Sequence, residues 1–345
     1  MRILLTGASG VVGVAVAARL RAAGSTIVAL THRTGQFVGN DGNSVEVDEC
    51  VPGDVRLPGF GAEFGSVDVI VHCAATTDFG AAEEVYDELN VTGTANAIAL
   101  AQARDIPLVH VSTAYVSGLR NGRITEAELD AGQEFGNGYE RSKFRAEQLI
   151  RAADVPAAIV RPSIVVGDSI AGAIREYKNM YPVVKLIVEG KLRSLPGRYD
   201  ATLSLVPVDH VAEVIATAVR TIESSVGTTF HAVGADVLSL RDVSDVLAEY
   251  PSFRVARFVP AATFSADDLD PIEREYYNRV GALYTSYFGR RVAFDATNTT
   301  AELGIPSPPT GTDFLRLLLD RCLDTGYLGR PLPSITEVLA RIGSR

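Results

Sequence analysis

The feature that most constrains this chain lies near its N-terminus, where a strand, a glycine-rich turn and a helix follow one another without interruption. The apolar run of residues 2–5 breaks into the turn TGASGVVG, and a helical pattern continues from there. Gly7 permits a tight turn, Gly10 lets backbone N–H groups approach a diphosphate, and Gly13 lets the helix lie close to the strand. Glycine turns are common, but this order of elements predicts a βα unit that binds a dinucleotide.

Strand and helix patterns continue to alternate beyond this unit. Short apolar or β-branched runs recur at STIVAL, VDVIVHCAA, LVHVST and AAIVRPS, and helix-forming stretches separate several of them. This alternation predicts an α/β fold built on a doubly wound parallel sheet. We expect a dinucleotide-binding domain at residues 1–165, to which 203–234 return. A smaller, mainly helical substrate-binding part is expected at 166–202 and 235–345.

Side chains suited to proton transfer lie in the middle of the chain. The strand LVHVST ends in Thr113, and the helix that follows carries Tyr139 and Lys143 four residues apart on one face. Because a nearby ammonium favours the phenolate, Lys143 is expected to lower the pKa of Tyr139 and make it a general acid or base. Thr113 is expected to hold the substrate oxygen from the other side. Asn90 is expected to cap or bridge backbone and not to touch substrate.

The same Tyr-x-x-x-Lys spacing occurs again at Tyr181 and Lys185, so the spacing alone does not identify a site. Pro182 directly follows Tyr181, and proline bars an interior helical position there. No strand ending in Ser or Thr precedes this second pair. We therefore interpret Tyr139 as the catalytic tyrosine.

The choice of cofactor depends on the residues that follow the second strand. Thr31, His32 and Arg33 lie where an acid would bind the ribose hydroxyls of NAD. Arg33 suits a 2′-phosphate, so we expect NADPH, with NAD as the second choice, unless Arg33 is only a solvated loop charge. Asp54 and Val55 are expected at the adenine. The expected cofactor-binding residues are Gly7, Ser9, Gly10, Val11, Val12, Gly13, Thr31, His32, Arg33, Asp54, Val55, Cys73, Ala74, Ala75, Lys143, Pro162, Ser163 and Ile164.

Composition narrows the class of protein further. A chain of 345 residues that is 47% hydrophobic can bury a full core, and a net charge of −10 argues against a general nucleic-acid binder. Three cysteines without a CxxC spacing indicate neither a disulfide framework nor a metal site. The sequence shows no secretory signal and no apolar run long enough to cross a membrane, so a cytoplasmic protein is expected.

An aromatic segment late in the chain, IEREYYNRVGALYTSYFGRR, has two interpretations. Its aromatic side chains either form a lid over the substrate or pack as ordinary core, and their spacing along a helix is more typical of core. The residues concerned are Tyr276, Tyr277, Tyr284, Tyr287 and Phe288.

Taken together, these strings resemble the extended short-chain dehydrogenase/reductase superfamily from residue 1 to about 234. VHCAATTDF, NVTGT, VSTAYVSG, GYERSKFRAEQL, VRPSIVVGDSIAG and VPVDHVAE are most similar to its thioester-reductase and fatty acyl-CoA reductase branch. The resemblance implies a catalytic triad of Thr113, Tyr139 and Lys143, with Lys143 also binding the nicotinamide ribose. It further implies reduction of an acyl thioester, on coenzyme A or a carrier protein, to an aldehyde or alcohol, and a possible homodimer. Without its own adenylation or carrier domain, the chain is expected to receive its substrate in trans or to act on another carbonyl.

Three alternatives stay open at this point. A nucleotide-sugar epimerase or dehydratase would need an acid after the second strand, and Arg33 argues against it. A hydroxysteroid or ketone dehydrogenase would use the same triad. A dinucleotide-sensing regulator without turnover typically lacks the tyrosine or the lysine that this chain keeps.

Overall fold

The computed structural model describes residues 1–32 and 35–329, and its centre is a parallel sheet of seven strands. In chain order the strands are β1 Arg2–Thr6, β2 Thr26–Thr31, β3 Glu49–Pro52, β4 Val69–His72, β5 Leu108–Val111, β6 Ala157–Pro162 and β7 Thr229–Ala232. They lie in the order β7-β6-β5-β4-β1-β2-β3, and every neighbouring pair is parallel. Most of the strands are runs of buried apolar residues, as expected where helices cover both faces.

Helices cover the two faces of this sheet. The longer ones are α1 Val11–Ala22, α2 Gly93–Arg104, α3 Gly138–Ala152, α4 Met180–Val188, α5 Val208–Arg220, α6 Leu240–Ala248 and α7 Thr312–Asp324. Buried side chains of α1 and α5 pack on one face, and those of α2 and α3 pack on the other. The doubly wound α/β fold predicted from the sequence is therefore confirmed.

Shorter elements connect these helices and strands. Short α-helices span Glu83–Tyr86, Ile222–Ser225, Pro271–Tyr276, Ala282–Tyr284 and Thr297–Leu303. Two π-helical segments span Asp87–Thr92 and Tyr277–Gly281. Turns of 3-10 helix span Pro58–Gly61, Ala114–Ser117, Ala261–Thr263, Ala266–Asp268 and Thr285–Phe288. Short strands pair as Ile164–Val166 with Leu205–Pro207, Ser194–Pro196 with Arg257–Val259, Thr202–Leu203 with Leu238–Ser239, and Gly122–Ile124 with Val292–Phe294. The first π-helical segment lies within one helical stretch from 83 to 104, a feature often found near functional sites.

A second hydrophobic core lies beside the sheet. It is formed by buried side chains of α4, α6 and α7 together with the aromatic segment. The helix α7 buries one apolar face and is the amphipathic packing helix that its sequence predicts. The proposed division into residues 1–165 with 203–234, and 166–202 with 235–345, stays a prediction, and its last residues lie outside the described part of the chain.

The strand order reverses at β1, which has β2 on one side and β4 on the other. At the carboxyl ends, Thr6 of β1 pairs with His72 of β4, and His72 pairs with His110 of β5. Open α/β sheets bind ligands where the strand order reverses, outside the carboxyl ends of the strands. The fold thus places the glycine turn that follows β1 at a ligand site.

Candidate active site

The turn after β1 has the geometry needed to bind an anion. Gly7 has a φ of +69°, and a Cβ added at Gly13 would lie 2.0 Å from the Gly7 carbonyl oxygen, so α1 approaches the turn too closely for a side chain. Gly10 is the N-cap of α1, where no side chain caps the helix and no acid lies in the first turn. The N–H groups of that turn can therefore bind a phosphate, and this cradle fits a dinucleotide diphosphate.

A cavity extends from the glycine turn, past β4, β5 and β6, into the second core. The expected site residues on its lining are Gly7, Gly10, Val11, Val12, Gly13, Cys73, Ala75, Thr113, Tyr139, Lys143, Pro162, Ser163 and Ile164. Those outside the lining are Ser9, Thr31, His32, Asp54, Val55 and Ala74, and Arg33 lies outside the described residues. The structure thus brings the three expected catalytic side chains and the glycine turn into one cavity.

Local structure holds the expected catalytic residues in place. Tyr139 lies in the first turn of α3, which Asn137 caps by accepting a hydrogen bond from the Glu140 N–H at 2.9 Å. Thr113 lies just after β5, where its Oγ1 accepts from the Tyr115 N–H at 3.2 Å. The Thr113 hydroxyl also lies close enough to the Tyr139 phenol to influence the pKa of that phenol. The two hydroxyls can therefore approach a single oxygen atom of a substrate.

The expectation that Lys143 lowers the pKa of Tyr139 is wrong for this structure. Burial raises the pKa of Tyr139 above its ordinary value; the neighbouring Thr113 hydroxyl opposes the shift and the Glu140 carboxylate adds to it. Desolvation disfavours the charged phenolate, and the sequence gives no measure of how much water the fold removes. Tyr139 is therefore a protonated phenol at neutral pH, suited to donate a proton.

Lys143 is held against β5. Its Nζ donates a hydrogen bond to the Val111 carbonyl at 2.8 Å and lies 3.1 Å from His110 Nε2. Burial lowers the pKa of Lys143 to about 8, and the Glu147 and Cys73 groups oppose that shift. The ammonium has three donors, so one is left for a ligand in the cavity.

Asn90, in the first π-helical segment, connects the loop after β4 to α3. Its Oδ1 accepts from the Thr76 N–H at 2.8 Å, and its Nδ2 donates to the Thr76 carbonyl at 3.1 Å and to Ser142 Oγ at 2.8 Å. Ser142 Oγ in turn donates to the Tyr139 carbonyl at 2.8 Å. The prediction that Asn90 bridges backbone is confirmed.

A buried ion pair next to Tyr139 was missed in the sequence analysis. Arg290 Nη2 donates to Glu140 Oε1 at 2.6 Å, and Arg290 Nη1 donates to the Gly118 carbonyl at 2.6 Å. The guanidinium also lies 4.2 Å from the ring centroid of Tyr287. The two charged residues are 150 positions apart, so no local pattern indicates their contact.

A second buried ion pair attaches α3 to β6. Arg161 Nη2 donates to Glu147 Oε2 at 2.6 Å, and both side chains are fully buried. Ser112 Oγ donates to the other Glu147 oxygen at 2.5 Å. Because Glu147 lies one turn after Lys143, this pair also fixes the rotation of α3.

The aromatic segment serves as both core and cavity wall. Its members on the cavity lining are Tyr284, Tyr287 and Phe288. Tyr276 and Tyr277 pack at the edge of the second core. The Phe79 ring centroid lies 5.8 Å from that of Tyr139 and 5.7 Å from that of Tyr287, so it joins the aromatic wall to the expected catalytic residue.

The inner part of the cavity is apolar. Two helices face each other across it, with Met180, Val183, Val184 and Ile187 from α4 and Leu240, Val243 and Leu247 from α6. Phe258 and Phe288 also line it. Elsewhere on the lining, Glu176 and Lys178 form an ion pair of 2.5 Å, and Glu176 also pairs with Arg175 at 2.8 Å. We call the space between α4 and α6 the apolar chamber.

The residues expected at the adenine already have partners within the chain. Arg56 donates two hydrogen bonds to Asp54 Oδ2, at 3.0 and 2.6 Å, and His32 Nε2 lies 3.5 Å from the same carboxylate. Arg56 is the main cause of a pKa of about 2 for Asp54. The Val55 carbonyl accepts a hydrogen bond from Asn96 at 2.8 Å. The adenine contacts of Asp54 and Val55 stay a prediction.

The second Tyr-x-x-x-Lys pair does lie on a helix. The helix α4 begins two residues before Pro182, so the proline lies in the first turn, where its missing N–H is tolerated, and not in the helix interior. The Tyr181 hydroxyl accepts from the Gly167 N–H at 3.0 Å, and Lys185 Nζ lies 4.5 Å from the Tyr327 ring centroid. Neither Tyr181 nor Lys185 is on the cavity lining.

Within residues 1–32 and 35–329, no helix is both long and apolar enough to cross a membrane. The same residues include no group of three His, Cys, Asp or Glu side chains that could hold a metal ion. Cys50, Cys73 and Cys322 are free thiols.

Residues 48–215 match the family model described as male sterility protein. The chain is 30% identical over 229 residues to the hybrid PKS-NRPS synthetase pvhA of Talaromyces variabilis, an alignment covering 62% of this chain and only 5% of that protein. It is 26% identical over 325 residues to a probable low-salt glycan biosynthesis reductase of Haloferax volcanii, covering 92% of this chain and 97% of that protein. The crystal structure of the terminal R domain from the myxalamid PKS-NRPS biosynthetic pathway superimposes with a TM-score of 0.77 and 24% identity, covering 96% of this chain and 92% of that chain.

The family match covers the stretch that carries Thr113, Tyr139 and Lys143, and the superposition extends the likeness in fold to most of the chain. Both agree with the resemblance that the sequence motifs indicate. The chain is therefore similar in sequence, over residues 48–215, to the male sterility protein family, and it shares the fold of the terminal R domain over most of its length.

Proposed function

We propose that this protein is an NADPH-dependent reductase that converts an acyl thioester to an aldehyde or alcohol. One observation carries the proposal: the glycine turn, Thr113, Tyr139 and Lys143 line the same cavity, and that cavity continues into the apolar chamber. The first group suits hydride transfer to a carbonyl, and the chamber suits the apolar body of an acyl group.

In this reaction the side chains bind the substrate oxygen and move its proton. Thr113 and Tyr139 donate hydrogen bonds to the carbonyl oxygen and stabilise the negative charge that develops there. NADPH, held by the glycine turn, would supply a hydride to the carbonyl carbon. When the C–S bond breaks, the electron pair on oxygen reforms the carbonyl, and the thiolate leaves and takes up a proton. If the aldehyde is reduced again, Tyr139 donates the proton that makes the alcohol.

Lys143 is proposed to orient the nicotinamide ribose. Two of its donors are engaged by β5, and the third remains for a ribose hydroxyl. This contact requires the ammonium form, and the pKa of Lys143 is about 8. Activity is therefore expected to fall as the pH rises above that value.

The preference for NADPH rests on the residues after β2. Thr31, His32 and Arg33 supply no acid for the ribose hydroxyls of NAD. The Asp54 carboxylate, 3.5 Å from His32 Nε2, is already paired with Arg56. Arg33 is proposed to bind the 2′-phosphate. A carrier-bound substrate, a homodimer and a cytoplasmic location stay predictions.

Reduction of a sugar nucleotide is the second candidate function. It is favoured by the similarity to the glycan biosynthesis reductase, which covers nearly the whole of both chains. The apolar chamber argues against it, because α4 and α6 present no hydrogen-bonding side chains to a sugar there. The thioester is therefore the preferred substrate class.

Absorbance at 340 nm tests both candidates. Purified protein is mixed with NADPH or NADH and with a panel of acyl-CoA thioesters, free aldehydes and nucleotide sugars. The proposal expects NADPH oxidation with acyl-CoA, weaker oxidation with NADH, and free thiol released in step with the thioester consumed. Consumption with nucleotide sugars alone would establish the second candidate.

A further inference from the structure

The lysine of the proposed triad rests on a buried histidine. His110 is the third residue of β5, and its side chain is 0% exposed. Its Nε2 lies 3.1 Å from Lys143 Nζ. Among the described residues, His110 Nδ1 has no hydrogen-bond partner, so the bond recorded for this buried ring is the one to Lys143.

The protonation of His110 follows from this contact. An ammonium only donates hydrogen bonds, so Nε2 must accept, and the ring carries its proton on Nδ1. Burial, followed by the charge of Lys143 and the neighbouring His72, keeps the pKa of His110 well below its ordinary value. The ring is therefore a neutral acceptor at the pH at which the lysine works. A buried polar ring with one nitrogen unpaired is costly to keep, which indicates that the bond to Lys143 serves a purpose.

We propose that His110 is a positioning residue that holds Lys143 charged and fixed against β5, so that the remaining lysine donor is available in the cavity. The inference rests on the proposed function, in which Lys143 orients the cofactor ribose. It assigns to His110 no contact with substrate or cofactor.

The effect of removing this acceptor has a definite sign. The other titratable groups around Lys143 are Glu147 on the next turn of α3, Cys73 after β4, His72 on β4 and Tyr139 on the preceding turn. The ammonium donates a stronger hydrogen bond to His110 than the neutral amine does, so loss of this bond favours the neutral amine and lowers the pKa of Lys143. Glu147 stays bound to Arg161 in such a variant and does not replace the missing acceptor.

Lysine-selective ¹³C NMR tests the inference without relying on turnover. The chain has only four lysines, Lys143, Lys178, Lys185 and Lys191, and Lys143→Arg identifies the Lys143 ¹³Cε signal. His110→Leu removes the acceptor, His110→Gln returns an amide near the position of Nε2, and His110→Asn returns one near Nδ1 only. We expect the Lys143 titration midpoint to fall by roughly one pH unit in the Leu and Asn variants and to return in the Gln variant.

Control variants separate positioning from general damage. His72 is buried on the adjacent strand and is hydrogen-bonded to Thr6, so His72→Leu is expected to leave the Lys143 midpoint unchanged. An unchanged midpoint in His110→Leu would overturn the inference. If that variant does not fold, an unchanged midpoint in His110→Asn overturns it instead.

The pH profile of kcat/KM for NADPH-dependent reduction provides a second readout. In His110→Leu the alkaline fall in kcat/KM is expected to move to lower pH together with the NMR midpoint. For a shift of about one pH unit, kcat/KM at pH 8 is expected to fall about fivefold. If Tyr139→Phe keeps wild-type turnover, the proposed function fails while the NMR result still decides the role of His110. If Tyr139→Phe is inactive and the midpoint does not move, only the inference about His110 fails.

Discussion

The chain contains the same four-residue spacing of tyrosine and lysine on two helices, and the two surroundings differ. On α3, Tyr139 opens to the cavity and Lys143 is buried against β5. On α4, Tyr181 is bound to the Gly167 N–H within the second core, and Lys185 is partly exposed beside the Tyr327 ring. Burial raises the pKa of both tyrosines, so acidity of the phenol does not distinguish them. The two tyrosines are distinguished instead by the cavity, which only Tyr139 lines, and by the buried lysine one turn after Tyr139.

The largest expected effect compares the two phenols. Tyr139→Phe removes the proposed proton donor, and kcat/KM for thioester reduction is expected to fall by about 10²- to 10⁴-fold. Tyr181→Phe leaves the Gly167 N–H without its partner and is expected to cost about 1–3 kcal/mol of stability, with kcat/KM within about twofold of wild type. Steady-state assays and thermal melts on both variants measure this. Equal losses of activity would show that the two pairs are not functionally distinct.

The second prediction concerns how firmly each helix is held. Glu147 and Arg161 are fully buried, so Glu147→Gln leaves a buried guanidinium without its counter-charge and is expected to cost about 3–5 kcal/mol of unfolding free energy. The pair on α4, Lys185 with Glu189, is partly exposed, and Glu189→Gln is expected to cost less than about 1 kcal/mol. Urea denaturation followed by circular dichroism gives both values. A loss under 1 kcal/mol for Glu147→Gln would contradict the proposed anchoring of α3.

The sheet, the glycine turn and the proposed triad could be predicted because short patterns in the sequence carry them. Gly7 requires a positive φ, β-branched runs fill the strands, and Tyr139 and Lys143 share a helix face. The protonation of Tyr139 could not be predicted in the same way, because its pKa depends on how much water the assembled fold removes.

Contacts between distant segments escaped the sequence analysis for a related reason. Arg290 and Glu140 meet only after the chain folds, and His110 reaches Lys143 across the packing of α3 on the sheet. The position of Pro182 follows from a local rule instead, because a proline is tolerated in the first turn of a helix and excluded from its interior.

The third prediction contrasts the two lysines by pH. The pKa of Lys143 is about 8, so the ammonium is lost as the pH rises through that value, and kcat/KM is expected to fall roughly tenfold per pH unit above it. Lys143→Met is expected to be weakly active and to lose the fall in kcat/KM at alkaline pH. Lys185→Met is expected to keep the wild-type pH profile. Rates between pH 6 and 10, with the stability of NADPH controlled, test this. An unchanged limb in Lys143→Met would assign the titration to another group.

The smallest expected effect concerns the chamber that α4 and α6 enclose. Val243 lies between Leu240 and Leu247 on the face of α6 that lines the cavity, so Val243→Phe fills space that a long acyl chain would occupy. We expect kcat/KM for a long-chain acyl-CoA to fall about tenfold relative to a short-chain one, since steric discrimination in an apolar pocket is of that size. Asp245 lies on the exposed face of the same helix, and Asp245→Ala is the matched control, expected to leave the chain-length preference unchanged. If Val243→Phe leaves the ratio of long-chain to short-chain kcat/KM at its wild-type value, the acyl chain does not enter this chamber. In that case α3 would still carry the proposed catalytic residues, but α4 would not bind the substrate, and the contrast between the two helices fails.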